Sequence, residues 1–182
     1  VVGEAVHIPL TRVWICSRSN IKVTLAPEEM TIAGWIRLDA GSNSPSPVFS
    51  NGDHANPRSK PWILQVEQNR LVFQGGGSKV TSKSEVPREC WVHVATALTG
   101  VEGTSQQVSV QLYIDGEAAG TGDVMITPRE DILLIGATHR GGTRMGGMID
   151  ELAIWDRALT SAEIMSLYQM GQKKIAIGSV VK

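Results

Sequence analysis

The segment 146–171, GGMIDELAIWDRALTSAEIMSLYQMG, constrains the fold more than any other part of the chain, because it marks a strand followed by one short helix. Thr160 and Glu163 have the spacing of a capping box, in which each side chain accepts from a free backbone N–H of the first helical turn. Three side chains then share one helical face: Ile164, Leu167 and Tyr168. Gly171 stands where helices often end in a residue that tolerates positive φ. The segment predicts a helix near 160–170.

The rest of the chain consists mostly of short segments in which apolar and polar positions alternate, which is typical of half-buried strands. The predicted strands are 30–38, 62–66, 71–73, 90–98, 108–114 and 132–135, with others near 5–8, 12–16 and 21–25. Asn69-Arg70 is predicted to turn between two of them. Asp115-Gly116 is the strongest hairpin signal, because a type I′ turn requires positive φ at both central positions. This pattern predicts an all-β sandwich or jelly roll.

Composition narrows the class of protein. The chain has 182 residues, of which 42% are hydrophobic, so one domain over 1–182 can bury a sizeable core. The formal net charge is −1, which favours neither nucleic acid nor an anionic membrane as partner. The sequence has no run near the roughly 18 apolar residues of a membrane span. It begins with Val1 rather than methionine, and we expect it to be a module fused to other domains in a longer chain.

Several motifs stand in an order that resembles a known family. They are PEEMTIAGWIRL, VFSNGD, VPRECWVHVATALTG, VQLYIDGEAAGTG, LLIGA and the closing segment 147–164. In this order they resemble the laminin G-like (LamG-like) domains of the concanavalin A-like lectin/glucanase superfamily. The resemblance covers about 28–171 and leaves 172–182 as a tail or final strand. It implies a concanavalin A-like jelly-roll sandwich of two antiparallel sheets with one short C-terminal helix.

The resemblance also implies a function. It indicates a non-catalytic, extracytoplasmic binding module that recognises glycan or protein ligands, whether secreted, periplasmic or on a cell surface. One alternative is a structural or adhesion scaffold without a small ligand. A second alternative, glycoside hydrolase, is disfavoured because glycan-cleaving relatives carry an E-x-D-x-E strand whose carboxylates share one face, and no segment here fits it. His93 lies in a strand beside Trp91, and a packed histidine with one satisfied nitrogen is the favoured interpretation over a catalytic base.

Two polar loops supply the candidate ligand-binding residues. The loop 51–61, followed by an aromatic residue, contributes Asn51, Asp53, His54 and Trp62. The loop 139–148 contributes His139, Arg140 and Arg144. Polar loops at the rim of a sandwich can bind a sugar or peptide, and arginine forks match carboxylate or phosphate. A solvated loop and a mobile hairpin are the alternative interpretations. Trp35, Trp91 and Trp155 are expected in the core.

Asp150 in the closing strand is the candidate metal ligand. The resemblance implies a structural Ca²⁺, because the matching aspartate of many relatives binds one, and hard oxygen ligands suit that ion. The alternative is that Asp150 accepts a backbone N–H bond or pairs with an arginine such as Arg157. The two cysteines, Cys16 and Cys90, have no zinc-like spacing. They could form a disulfide or remain buried thiols, and the sequence leaves both open.

Overall fold

The computed structural model describes residues 6–8, 15–16, 29–42, 45–51, 62–100, 106–126, 133–138 and 142–173. This part of the chain contains twelve strands and one helix. The first six strands are β1 (Val6–Ile8), β2 (Ile15–Cys16), β3 (Glu29–Leu38), β4 (Ser46–Asn51), β5 (Trp62–Glu67) and β6 (Arg70–Gly75). The others are β7 (Ser78–Glu85), β8 (Val92–Gly100), β9 (Gln107–Ile114), β10 (Glu117–Met125), β11 (Leu133–Ile135) and β12 (Gly147–Trp155). The helix is α1 (Ser161–Gln172).

The strands form two six-stranded antiparallel sheets. Sheet A has the order β1-β12-β3-β8-β9-β10, and sheet B has the order β2-β11-β4-β5-β6-β7. Strands β12 and β11 come late in the chain, yet each lies beside a strand from the first third of it. Such returns, together with the hairpins that connect β5–β7 and β8–β10, are typical of jelly rolls. The predicted fold class, a jelly-roll sandwich with one C-terminal helix, is confirmed.

The main core lies between the two sheets and follows the alternation of the sequence. On β3 the inward positions are Met30, Ile32, Ile36 and Leu38, all at most 1% exposed. The facing sheet contributes a stack of three aromatic rings, with 5.6 Å between the centroids of neighbouring rings: Phe49, Trp62 and Phe73. Because successive strand side chains point to opposite faces, the other positions of β3 form the outer face of sheet A.

Helix α1 packs on that outer face through a second apolar cluster. Its members include Ala33, Ala95, Ala97, Tyr113, Leu159 and Ile164, with Trp155 and Leu167 partly buried against them. Three of these are alanines on neighbouring strands, since Ala33 pairs with Ala95 and Ala97 lies two residues further along β8. Small side chains let a helix approach the sheet closely. The predicted helical face of Ile164, Leu167 and Tyr168 is therefore the face that contacts sheet A.

The turns agree with the sequence in one case and differ by one residue in another. Asp115 and Gly116 have φ of 49° and 81°, so the predicted requirement for two positive φ angles is confirmed. The turn between β5 and β6 consists of Gln68 and Asn69, with φ of 50° and 60°. Glu67 pairs with Arg70 across this hairpin, which places the turn one residue before the predicted Asn69-Arg70.

The start of α1 is as predicted, and its end is not. Thr160 accepts from the backbone N–H of Glu163, while a carboxylate oxygen of Glu163 accepts from the backbone N–H of Thr160 at 2.8 Å, which completes the capping box. The helix continues through Gly171 to Gln172, so the prediction that Gly171 ends it in positive φ is wrong. Gly171 instead lets the helix lie close to Trp35, because an added Cβ would lie 2.3 Å from Nε1 of that residue.

Two further expectations need correction. Trp91 precedes β8 and is 38% exposed, so it does not fill the core. Cys90 lies outside the strand as an exposed free thiol, and the disulfide that the sequence left open is not made by it. The strand predicted near 21–25 lies outside the described residues. No described helix has the length and hydropathy that crossing a membrane would require.

Candidate functional site

A hairpin that follows β11 forms the centre of the candidate site. Gly136 has a φ of 68°, and its N–H donates to the carbonyl of Val48 at 3.0 Å. The two arms meet at a bridge between Ala137 and Arg144. The N–H of Met145 then donates to the carbonyl of Gly136 at 2.9 Å, so the base of the hairpin is fixed to sheet B by backbone bonds.

Ser50 holds this hairpin against the outer face of sheet B. The backbone of Ser50 pairs with Ile63 on one side and Leu134 on the other. Because the neighbouring Phe49 points inward, the side chain of Ser50 lies on the outer face of the sheet. Its hydroxyl donates to the carbonyl of Ala137 at 2.8 Å and is fully buried. The arm that pairs with Arg144 through Ala137 is therefore held in place by a strand of the sandwich.

Arg144 is the predicted site residue with the most informative surroundings. Its side chain is half-buried, and its Nε is buried with no hydrogen-bond partner. Buried donors are usually paired, because an unpaired one costs its full desolvation energy. An arginine carries its donors in a fixed planar fork that matches carboxylate and phosphate. The arrangement can accept an anionic group at this hairpin.

The other predicted ligand residues have different outcomes. Asn51 ends β4 beside Ser50 but is buried and lies on the inward side of the strand, because it pairs with Trp62. Trp62 is 2% exposed and stacks between Phe49 and Phe73, so its predicted place in a ligand site is wrong: both faces of its ring contact other rings. The remaining predicted residues lie outside the described part of the chain: Asp53, His54, His139 and Arg140.

Asp150 lies on the outer side of β12, at the start of an irregularity in its pairing with β3. Its Oδ1 accepts from the backbone N–H of Glu151 at 2.9 Å, which is one of the two alternatives to a metal that the sequence offered. Arg157 binds Glu163 instead, at 2.6 and 3.0 Å. A Ca²⁺ ion takes six to eight oxygens, and the described residues contain no cluster of three or more acidic, histidine or cysteine side chains. They do not complete a calcium site, and calcium stays a prediction.

His93 has the packed position that the sequence favours, with one difference. It is 1% exposed, lies edge-on to Trp35 with ring centroids 5.5 Å apart and is tilted against Tyr168 of α1. Neither ring nitrogen has a hydrogen-bond partner, whereas one satisfied nitrogen was expected. Burial lowers the pKa of His93 from 6.5 to about 4, because the charged form loses its hydration.

Comparison with known proteins establishes the family. A laminin G family model, described as the concanavalin A-like lectin/glucanases superfamily, matches residues 16–165. The chain therefore belongs to this superfamily. No curated protein sequence gives a significant match.

Solved structures of similar fold include a carbohydrate-binding module, a pentraxin and a sialidase. The CBM40 of Ruminococcus gnavus IT-sialidase bound to α2,3-sialyllactose has a TM-score of 0.70 at 15% identity, covering 92% of this chain and 98% of that one. A heptameric SAP-like pentraxin of Limulus polyphemus has a TM-score of 0.56 at 19% identity, covering 78% and 70%. Trypanosoma rangeli sialidase in complex with sialic acid has 0.63 at 19%, covering 82% of this chain but only 24% of the sialidase. At these identities the likeness shows the fold alone.

Proposed function

We propose that this chain is a non-catalytic carbohydrate-binding module that recognises glycans through a carboxylate group. The observation that carries the proposal is the buried Nε of Arg144, which has no partner in the protein. A sugar carboxylate would accept from this N–H and from a neighbouring guanidinium N–H as a bidentate pair, once the half-buried side chain turns its Nε towards the ligand. Such a ligand removes the desolvation cost that the free site leaves uncompensated.

The surroundings of Arg144 indicate that the backbone of the site is preformed. The opposite arm of the hairpin is fixed by the hydroxyl of Ser50, and Thr138 donates its backbone N–H to the carbonyl of Thr143 at 3.1 Å. A fixed backbone reduces the entropy lost on binding, which raises affinity without new contacts. A module of this fold from a sialidase binds sialyllactose, whose sialic acid carries a carboxylate, and this makes acidic glycans the first ligands to test.

The same proposal includes the absence of catalysis and an extracytoplasmic location within a larger protein. The absence of catalysis is supported by the sequence, which lacks the alternating carboxylates of glycan-cleaving relatives. In a glycosidase two carboxyl groups must lie on either side of the scissile bond. Incubation with sialylated, β-glucan, galactan and chitin oligosaccharides should release no reducing ends. Release that disappears on substitution of a single Asp or Glu would establish an enzyme instead.

Titration calorimetry with 3′-sialyllactose and with lactose tests the ligand. We expect the sialylated sugar to bind and lactose to bind at least tenfold more weakly. Arg144→Gln should weaken sialyllactose binding about 30-fold, which corresponds to about 2 kcal/mol for a hydrogen bond to a charged group. Arg37→Gln is the matched control, because Arg37 lies on the outer face of sheet A and its ion pair with Asp39 is solvent-accessible.

The possible results separate the candidates. Equal binding of both sugars, or unchanged affinity in Arg144→Gln, would refute the role of the arginine while leaving a glycan module. Absence of binding to any glycan would favour the scaffold or adhesion alternative. If Arg37→Gln weakens sialyllactose binding as much as Arg144→Gln does, the loss of affinity comes from the change in net charge and not from a specific site.

A further inference from the structure

Helix α1 is attached to sheet A by different interactions at its two ends. At the N-terminal end the attachment is polar. The hydroxyl of Thr31 donates to the carbonyl of Arg157 at 2.9 Å and accepts from the N–H of Leu159 at 2.8 Å. The hydroxyls of Tyr113 and Ser161 are 3.1 Å apart. These bonds hold the first turn of the helix to two strands of the sheet.

The C-terminal half is attached by ring contacts. Tyr168 stacks on Trp35, with 5.7 Å between ring centroids and 24° between ring planes. Gly171 lies against the indole of Trp35, where a Cβ has no room. Among the described residues, no side-chain hydrogen bond joins 167–173 to sheet A. The end of the helix therefore depends on close packing, which one added charge can disrupt.

His93 is the group that can carry such a charge. It lies on β8 beneath this end of the helix, with Trp35 on one side and Tyr168 at 6.1 Å above it. Both ring nitrogens are buried and unpartnered. A neutral imidazole loses two hydrogen bonds there, but an imidazolium ion would bury a full charge and two N–H donors without any acceptor, which is far more costly. Protonation requires access to water, and His93 is 1% exposed with Tyr168 of α1 packed over its ring.

We propose that His93 makes the C-terminal half of α1 an acid-released latch: protonation of the buried imidazole separates residues 167–173 from the outer face of sheet A, while the hydrogen-bonded first turn stays attached. The end of one helix is the element with two states, and the proton is a ligand that binds the open state more tightly than the closed state.

The direction of the pH dependence follows from linkage. Burial lowers the pKa of His93 from 6.5 to about 4 in the closed state. Between these values the open state binds the additional proton, so the closed state loses stability as pH falls from 6.5 towards 4 and keeps it fully above 6.5. The open-to-closed ratio should rise about 20-fold between pH 7 and pH 5, and about 300-fold at the acid limit.

Other titratable groups lie near this face and must be separated from His93. From α1 the group is Tyr168. From the turn between β9 and β10 it is Asp115, whose Oδ1 accepts from the backbone N–H of His93 at 3.0 Å. Beyond Trp35 the next charged groups on this face are Arg37 on β3 and Asp150 on β12. Asp115→Asn and Asp150→Asn are therefore the control substitutions.

Hydrogen exchange of the whole chain, read by mass spectrometry from pH 7 to pH 4.5 and corrected for intrinsic rates, tests the latch. In wild type, amides of 167–173 should open about 20-fold more at pH 5 than at pH 7, and should open more than amides of β9 at every pH. In His93→Phe this dependence should disappear, since phenylalanine keeps a ring in place without a titrating group. Asp115→Asn and Asp150→Asn should retain it.

Several results would overturn the proposal. The first is that amides of 167–173 exchange at the same rate as amides of β9 at every pH. The second is that the pH dependence of exchange persists in His93→Phe. The third is that this pH dependence is lost in Asp115→Asn or in Asp150→Asn. If His93→Phe does not fold, NMR of wild type with ¹³C-labelled imidazole decides. The His93 resonance should titrate together with the opening of 167–173, and an imidazole that titrates near 6.5 while the helix stays protected contradicts the latch.

Discussion

The substitution Gly171→Ala should change the free energy of unfolding through two effects of opposite sign, helix propensity and a steric clash. In an exposed helix interior this substitution stabilises by up to about 1 kcal/mol, because glycine loses more backbone entropy than alanine on folding. Here the new Cβ would lie 2.3 Å from Nε1 and 2.6 Å from Cε2 of Trp35, where Cβ contacts shorter than 3.0 Å are essentially never found. Either the helix end or the indole must move.

The indole has little freedom to move. It stacks on Tyr168 and lies edge-on to His93, so the helix end is the part that must shift, with loss of the ring stack. Overpacking of this kind costs about 1–3 kcal/mol, and the propensity gain is reduced because Gly171 is one residue from the end of α1. We expect a net loss of about 1–2 kcal/mol, which lowers Tm by about 3–6 °C for a domain of this size.

A double-mutant cycle with Trp35→Leu identifies the cause. Removing the indole should relieve the clash, so that Gly171→Ala becomes neutral or mildly stabilising in that background. The expected coupling is about 2 kcal/mol, within the range for residues in contact. Thermal unfolding followed by circular dichroism measures all four variants. A rise in Tm for Gly171→Ala in wild type, or additive effects in the cycle, would refute close packing of the helix end on Trp35.

Three further predictions concern stability. Thr160→Ala should lower stability by about 1 kcal/mol, the usual loss for an N-cap oxygen, whereas Thr160→Ser should not; unchanged denaturant midpoints would mean that the cap contributes nothing. Thr96→Val should raise stability by about 1 kcal/mol, because the Thr96 hydroxyl is fully buried between the sheets without a partner; a loss in urea unfolding would show that it has one. If a Ca²⁺ ion binds Asp150, millimolar Ca²⁺ should stabilise wild type relative to EDTA by about 2.7 kcal/mol at a hundredfold excess over Kd, and so raise its Tm, but should not do so in Asp150→Asn; a wild-type Tm that calcium does not change excludes the site.

The sequence predicts local structure well where one segment decides it. The alternation of β3, the positive φ angles at Asp115 and Gly116, and the capping box of α1 are all confirmed, because each depends on neighbouring residues. Strand β7 has no predicted counterpart. It is an edge strand in which only Val80 and Ser82 are buried, so its polar sequence, SKVTSKSE, carries little hydrophobic pattern.

The errors concern contacts between distant residues. Gly171 has the sequence position of a helix-ending glycine, but Trp35, which lies 136 positions earlier in the chain, is what requires the absence of a Cβ. Trp62 follows a polar loop and therefore resembles a rim residue, yet pairing with Gly75 places it between the sheets. For the candidate site the sequence supplies Arg144 but not Ser50, because a serine in a strand gives no sign of the hairpin that it will hold.

The two outer faces of the sandwich carry different groups, and the candidate site lies beside that of sheet B. Helix α1 covers the alanines of β3 and β8 on the outer face of sheet A, so a ligand at that position would have to displace a helix. The outer side of sheet B carries polar side chains on successive strands: Ser50 and Gln65, which are buried, and Gln74 and Thr81, which are exposed. Arg144 joins this polar row through the bond between Ser50 and Ala137. A glycan needs several polar partners beside its charged group, and on this sheet the exposed Gln74 and Thr81 are the side chains that could supply them if the proposed ligand binds Arg144.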